Sequence, residues 1–233
     1  AMVFQEPLTA LNPTRRIGDL MVEVLRAHQH IARPAARAKA VDLLHSMRIA
    51  DAEAVMRRYP FELSGGMRQR IVIALAFAND PRLVIADEPT TALDVTVQRQ
   101  VLTLLQNRAR DVGAAVLLIT HDLGVVSEYT DRIYVMYAGK VVESGPTDAV
   151  LAAPRHPYTR ALLQAGPEAA APKAPLAAIP GGLPDLREMI VGCRYAGRCP
   201  FAQESCRTAA PPLRQAADPG HSLSCWLQEE MPK

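Results

Sequence analysis

Two short, continuously apolar runs with a helical stripe between them constrain this chain more than any other feature. Leu83-Val84-Ile85-Ala86 leads straight into Asp87 and Glu88, and Ala115 to Ile119 repeats the pattern and leads into Thr120, His121 and Asp122. Such runs suit parallel strands covered on both faces. Between them Val97, Val101, Leu104, Leu105 and Val112 recur at helical spacing, and Gly113 supplies a stop. Strand, helix, strand implies a right-handed parallel crossover and hence an α/β core. Parallel sheets gather ligand-binding groups just past the carboxyl ends of their strands. That rule selects Asp87, Glu88 and His121.

Around this core the chain divides by pattern into residues 1–12, 13–81, 82–145 and 146–233. From Pro13 to about Arg58 the apolar residues fall at helical spacing, first Ile17, Leu20, Met21, Val24 and Leu25, then Ala40, Leu43, Leu44 and Met47, which predicts a helical subdomain. Ser64-Gly65-Gly66 opens a further capped helix, with Ile71, Val72, Ala74, Leu75 and Ala78 on one face and a stop near Asn79, Asp80 and Pro81. Arg132 to Tyr137, a turn at Ala138-Gly139-Lys140, and Val141 to Ser144 read as a strand pair that closes the core near Gly145. Short helices are expected at Thr147 to Ala153 and Tyr158 to Ala165, then a Pro/Ala/Gly-rich linker within 166–184.

Composition excludes some classes of function. A hydrophobic content of 49% can fill a real core, and 26 Lys and Arg against 24 Asp and Glu leave no basic field for nucleic acid. No apolar run reaches the roughly 18 to 20 residues of a membrane helix, and no secretion signal is evident. A cytoplasmic protein that meets a membrane only through a partner is expected. All four cysteines, Cys193, Cys199, Cys206 and Cys225, lie in the last segment, which therefore has chemistry of its own.

Singly, the candidate residues are ambiguous. Asp87 could hold magnesium, a hard cation that prefers oxygen, and Glu88 could orient and polarise a water attacking a terminal phosphate; the pair could equally be a solvated turn. His121 could be a satisfied structural histidine. Ser64, Gly65 and Gly66 could offer backbone N–H groups to an anion or simply cap a helix. The amide of Gln5 could sense a metal or a water, or do neither.

Their order is more specific. Gln5, then Leu63-Ser64-Gly65-Gly66-Met67-Arg68-Gln69-Arg70, then Leu83 to Pro89, then Ala92-Leu93-Asp94, then His121, resembles an ABC ATPase domain. The resemblance implies a P-loop NTPase parallel-sheet core with a helical subdomain and a cysteine-containing C-terminal extension. Gln5 would be the Q-loop, and with Asp87 would attend Mg²⁺. Ser64 and Gly66 would meet the γ-phosphate of ATP held by a second domain paired head to tail. Glu88 would activate water, His121 would hold the γ-phosphate, and Asp94 would relay across the dimer. A membrane subunit's coupling helix would sit beside Gln5 and the helical subdomain.

The phosphate loop of that family, G-x-x-x-x-G-K-[ST], occurs nowhere in the 233 residues. Three charge-assisted hydrogen bonds from such a loop are worth roughly 4 to 9 kcal/mol, so on the order of a thousand-fold or more in affinity is forfeited. The chain alone is therefore expected to bind ATP poorly and not to turn it over, and it reads as a fragment with apolar strand surface exposed.

His156-Pro157-Tyr158-Thr159-Arg160-Ala161-Leu162-Leu163, Ile179-Pro180-Gly181 to Pro184, and Cys193-Arg194-Tyr195 through Arg198-Cys199-Pro200-Phe201 resemble the C-terminal extension of oligopeptide and dipeptide importer ATPases, with nickel importers as close relatives. The implied partners are two transmembrane permease subunits and, indirectly, an extracytoplasmic binding protein, with this chain at the cytoplasmic face of the membrane. The spacing C-x5-C-x6-C-x18-C fits neither a C-x-x-C zinc ribbon nor the bacterial ferredoxin run. A four-iron four-sulfur cluster, as some relatives carry here, a zinc ion, and unligated thiols are the three readings. A non-transport ABC ATPase and a noncatalytic domain offering only its signature face are the competing functions.

Overall fold

The computed structural model describes residues 1–91, 93–166, 178–216 and 218–227, and most of the linker read at 166–184 lies outside the described residues. The chain forms two units, Ala1–His121 and Asp122–Lys233. The first is built on three parallel strands. β1 (Met2–Val3) pairs with β2 (Leu83–Asp87), and β2 pairs along its whole length with β3 (Ala115–Ile119), so that Asp87 lies opposite Ile119. The Ala1 ammonium donates to the Leu83 carbonyl at 2.8 Å, extending a strand too short to be visible as a sequence pattern.

The first unit holds six helices among its described residues: α1 (Pro7–Ala10), α2 (Ile17–His28), α3 (Arg33–Ser46), α4 (Ala52–Val55), α5 (Gly65–Ala76) and α6 (Val95–Val112). The last is the expected crossover between β2 and β3. Asp94 caps it by accepting the Val97 N–H at 3.0 Å, and Gly113, at φ +67°, ends it in the left-handed conformation that a side chain disfavours. Ile17, Met21 and Leu25 of α2 and Ala40, Leu43 and Leu44 of α3 are buried together, as their spacing predicts. α5 is buried on several sides at once, through Ile71, Val72, Ile73 and Ala74, which makes it the central helix of the subdomain. It ends at Ala76, slightly before the Asn79-Asp80-Pro81 stop.

The strands depart from expectation in one respect. β2 and β3 were expected to be covered on both faces, yet burial alternates along β2. Val84 and Ala86 are sealed, whereas Leu83, Leu117 and Ile119 are close to half exposed. Among the described residues the core reaches one face of this sheet, and the other presents apolar side chains to solvent.

The second unit begins with α7 (Leu123–Tyr129) and an antiparallel hairpin, β4 (Arg132–Tyr137) and β5 (Lys140–Pro146). After it come α8 (Thr147–Ala152), α9 (Pro157–Ala165), α10 (Glu204–Thr208), β6 (Arg214–Gln215) and β7 (Ser222–Leu223). The four strands make one sheet in the order β4-β5-β7-β6. The hairpin read as closing the α/β core thus shares its sheet with the cysteine-bearing tail, through Glu143 opposite Leu223 and Ser144 opposite Ser222. Ile133, Val135 and Tyr137 point into this unit's core and Arg132, Tyr134 and Met136 point out.

Candidate functional site

The carboxylate of Glu88 is where the first unit concentrates its polar groups. The Glu88 N–H continues the ladder to β3 by donating to the Ile119 carbonyl at 2.9 Å, but its backbone then turns left-handed, at φ +42°. A non-glycine residue there carries strain of about 1 kcal/mol or more, a recurring sign of a functional position. The side chain is met from three directions. Gln5 Nε2 donates to Oε2 at 2.7 Å, Thr91 Oγ1 donates to Oε2 at 2.9 Å, and His121 Nδ1 lies 2.9 Å from Oε1. Hydrogen bonds to the charged form hold the Glu88 carboxyl below the usual glutamate range, the one from His121 foremost.

Because an ionised carboxylate only accepts, His121 must carry its proton on Nδ1. Its Nε2 can then donate to an anion only as the imidazolium. The ring is 79% exposed and so within reach of a ligand. Gln5, Glu88 and His121 are therefore brought together, from segments 83 and 33 residues apart. Asp87 is the last residue of that strand, one before Glu88, and Gln5 commits its Nε2 to Glu88. Thr91 was not singled out from the sequence; a hydroxyl three residues after the carboxylate is the signal that could have found it.

Ser64, Gly65 and Gly66 stand at the start of α5. Ser64 caps the helix by accepting the Met67 N–H at 3.3 Å, while the two glycines are half-buried. Arg70 on the same helix donates to the Met47 and Arg48 carbonyls at 3.4 Å and to Gln100 Oε1 at 2.7 Å, tying the end of α3 to α6. An open cleft of about 360 Å³ runs alongside, lined by Ser64, Gly66, Arg48, Arg58, Arg70 and Val97. Asp94 serves its own helix as the N-cap.

In the second unit Cys193, Cys199, Cys206 and Cys225, all free thiols, border one small cavity of about 10 Å³ together with His156 and Trp226. The close approach is built on Gly192. A methyl group there would stand 2.3 Å from the Cys206 carbonyl, and the Cys193 N–H donates to that carbonyl at 2.7 Å. Successive turns from Cys193 to Ala202 then carry Cys199 round, while Tyr195 packs among Tyr137, Tyr158 and His156. Burial pushes the Cys193, Cys199 and Cys225 thiols above their usual range. It also depresses His156 to about 4, leaving a neutral imidazole. Among the described residues no three His, Cys, Asp or Glu side chains are placed to hold a single metal ion.

Beneath the cavity lies a fully buried carboxylate that sequence reasoning missed. Glu143 accepts from His221 Nε2 and from the Arg155 N–H, each at 2.7 Å, and from the His156 N–H at 3.0 Å. It joins β5 to the tail and to the start of α9.

The chain has counterparts among solved structures. The dimeric ATP-binding cassette MJ0796 bound to ADP and Pi superposes with a TM-score of 0.55 at 28% identity, covering 63% of this chain and 62% of that one. Residues 1–91 match the ABC transporter family, so the fold is that of an ABC ATPase. Residues 142–206 match the oligopeptide/dipeptide transporter C-terminal region. The probable D,D-dipeptide transport ATP-binding protein DdpD of Escherichia coli (strain K12) is 57% identical over 99% of this chain and 70% of its own length. The oligopeptide transport ATP-binding protein AppD of Bacillus subtilis (strain 168) is 47% identical over 99% and 70%. The chain belongs to the ATP-binding proteins of the oligopeptide/dipeptide ABC transporters, and spans about 70% of the length of these two relatives. No helix among the described residues is long and apolar enough to cross a membrane.

Proposed function

We propose that this chain is part of the ATP-hydrolysing subunit of an ABC importer for di- or oligopeptides, with Glu88 as the residue that orients and polarises the attacking water. The observation that carries this is the convergence of Gln5, Thr91 and His121 on a carboxylate just beyond the end of a parallel strand. A carboxylate held ionised by three donors is a modest base but a firm acceptor, suited to aligning a water. When ATP arrives, His121 as the imidazolium would bind its terminal phosphate, and the Glu88–His121 contact would hand the water and the phosphate to each other. Magnesium would supply charge neutralisation at the phosphates, with Asp87 and Gln5 as the residues to attend it.

Residues 1–12 act as the Q-loop segment, 13–81 as the helical subdomain, 82–145 as the catalytic core and 146–233 as the importer-type extension. Ser64, Gly65 and Gly66 face the nucleotide of a second cassette, with Asp94 at the junction. Two permease subunits hold the pair at the cytoplasmic face of the membrane, and an extracytoplasmic binding protein supplies the peptide. The match over residues 142–206 supports this reading over a non-transport ATPase. Because the 233 residues contain no phosphate loop, they are proposed not to turn over ATP by themselves. Assembled with an intact partner cassette and permeases, turnover should fall by about 100-fold or more in Glu88→Gln. Unchanged turnover in that variant, or robust Glu88-dependent hydrolysis by residues 1–233 alone, would contradict the assignment.

In the tail, Cys193, Cys199, Cys206 and Cys225 border one cavity of only about 10 Å³, and among the described residues no three side chains are placed to hold a metal ion, so the arrangement does not fit the four-iron four-sulfur cluster expected from the resemblance. A band near 400 nm with stoichiometric iron and sulfide after anaerobic purification would contradict that conclusion.

A further inference from the structure

We propose that Arg48 and Arg58 bind the phosphates of the ATP that a second cassette presents to Ser64 and Gly66, and so set the affinity of that shared site. The inference rests on the head-to-tail reading above and adds to it two residues outside the signature turn.

The cleft beside Ser64 is built by three segments. The turn after α3 carries Arg48, the chain leaving α4 carries Arg58, and the N-terminal ends of α5 and α6 supply the third side. Those two helices are pressed together at Gly66, where a methyl group would stand 2.9 Å from Val97 Cγ1. The space of about 360 Å³ is in the range of small-molecule sites. Among the described residues the charged side chains on its wall are Arg48, Arg58, Arg70 and Asp51. Asp51 is committed to its own helix, accepting the Ala54 N–H at 3.0 Å. Arg70 is committed to the Met47 and Arg48 carbonyls and to Gln100, so it holds the turn that carries Arg48. Arg48 and Arg58 are exposed, and among the described residues neither forms an ion pair. Two guanidiniums thus face the cleft without a counter-charge.

Their backbones are fixed where their side chains are free. Arg48 is left-handed at φ +56°, with its N–H donating to the His45 carbonyl at 2.8 Å. A side chain kept in that disfavoured conformation beside a ligand site is a recurring mark of function. Arg58 is tied on both sides, its N–H donating to the Val55 carbonyl at 3.0 Å and its carbonyl accepting the Ile17 N–H at 2.9 Å. Guanidiniums pair with phosphate oxygens through charge-assisted hydrogen bonds, and the phosphates of ATP are the anion that the signature turn brings to this face.

The test uses the subunit assembled with an intact partner cassette and permeases, and reads KM for ATP and kcat. Arg48→Gly removes the guanidinium and suits the left-handed backbone, so folding is not at risk; Arg58→Gln removes the charge, and Arg58→Lys restores it. Arg48→Gly and Arg58→Gln should each raise KM by about tenfold with kcat nearly unchanged, because a phosphate contact made equally before and during hydrolysis is uniform binding. Arg58→Lys should recover part of the loss, and added salt should raise KM less in the uncharged variants than in the unsubstituted complex. An unchanged KM in both uncharged variants overturns the inference, as does a fall in kcat with KM unchanged. Ser64→Arg separates this from the reading beneath it. Turnover lost in Ser64→Arg while both uncharged variants keep their KM overturns the arginine role alone; turnover unchanged in Ser64→Arg overturns the head-to-tail reading and this inference with it.

Discussion

Glu88 shows how much a single residue's neighbours change its chemistry. A glutamate after a strand is unremarkable, but Gln5, Thr91 and His121 favour its charged form, and His121 contributes most. The sign follows directly: the folded-state pKa is lowered, so the carboxylate persists to pH below the usual glutamate range, and the contact with His121 is lost only as pH falls through that lowered value. In metal-free protein, ¹³C NMR of the Glu88 carboxyl should show an acid midpoint below the ordinary glutamate value of about 4.3. In His121→Ala that midpoint should move up towards it; a midpoint that stays put would mean that His121 is not the group holding Glu88 ionised. The sequence placed Glu88 and His121 at neighbouring strand ends, because parallel strands must put their carboxyl ends on one edge. It could not reveal Thr91 or the direction of the Gln5 amide, since those depend on a left-handed backbone at Glu88 and on where a separate segment lands.

At the scale of elements, helices were legible where apolar spacing and a cap agreed. α6, with Asp94 in front and Gly113 behind, is the clearest case, and α2 follows its stripe closely. β1 was invisible because two residues carry no periodicity, and it exists only through its pairing with β2. The tail behaves differently, because close approach rather than pattern shapes it. Gly192 lets the chain pass the carbonyls of Cys206 and Arg207, where a methyl group would stand at 2.3 and 2.7 Å. Gly192→Ala should therefore destabilise the second unit by about 1–3 kcal/mol, as overpacking does. Urea unfolding followed by Trp226 fluorescence measures this, since Trp226 is the only tryptophan and lies on the cavity wall. Wild-type stability in that variant would show that the loop reaches Cys206 by another route.

At the scale of the whole molecule, the division into units is the least legible feature. The hairpin β4–β5 follows the α/β core in sequence but is locked to the tail by β7 and by Glu143. Removing that buried carboxylate leaves His221 and two backbone donors unpaired, so Glu143→Ala should destabilise the second unit by about 3–5 kcal/mol. Trp226 fluorescence should report the loss, whereas the titration of Glu88 in the first unit should not change; wild-type stability would remove Glu143 as the tie. The sequence by itself determined the family, the α/β crossover and the identities of Glu88, His121 and the four cysteines, because periodicity and ordered motifs are local and survive in one dimension. Only the tertiary structure decided which donors surround Glu88, which face of the sheet stays open, and that Glu143 holds the backbone of His156, whose ring borders the cavity of the four thiols. Those facts rest on contacts between segments tens of residues apart, and no local pattern in the chain encodes them.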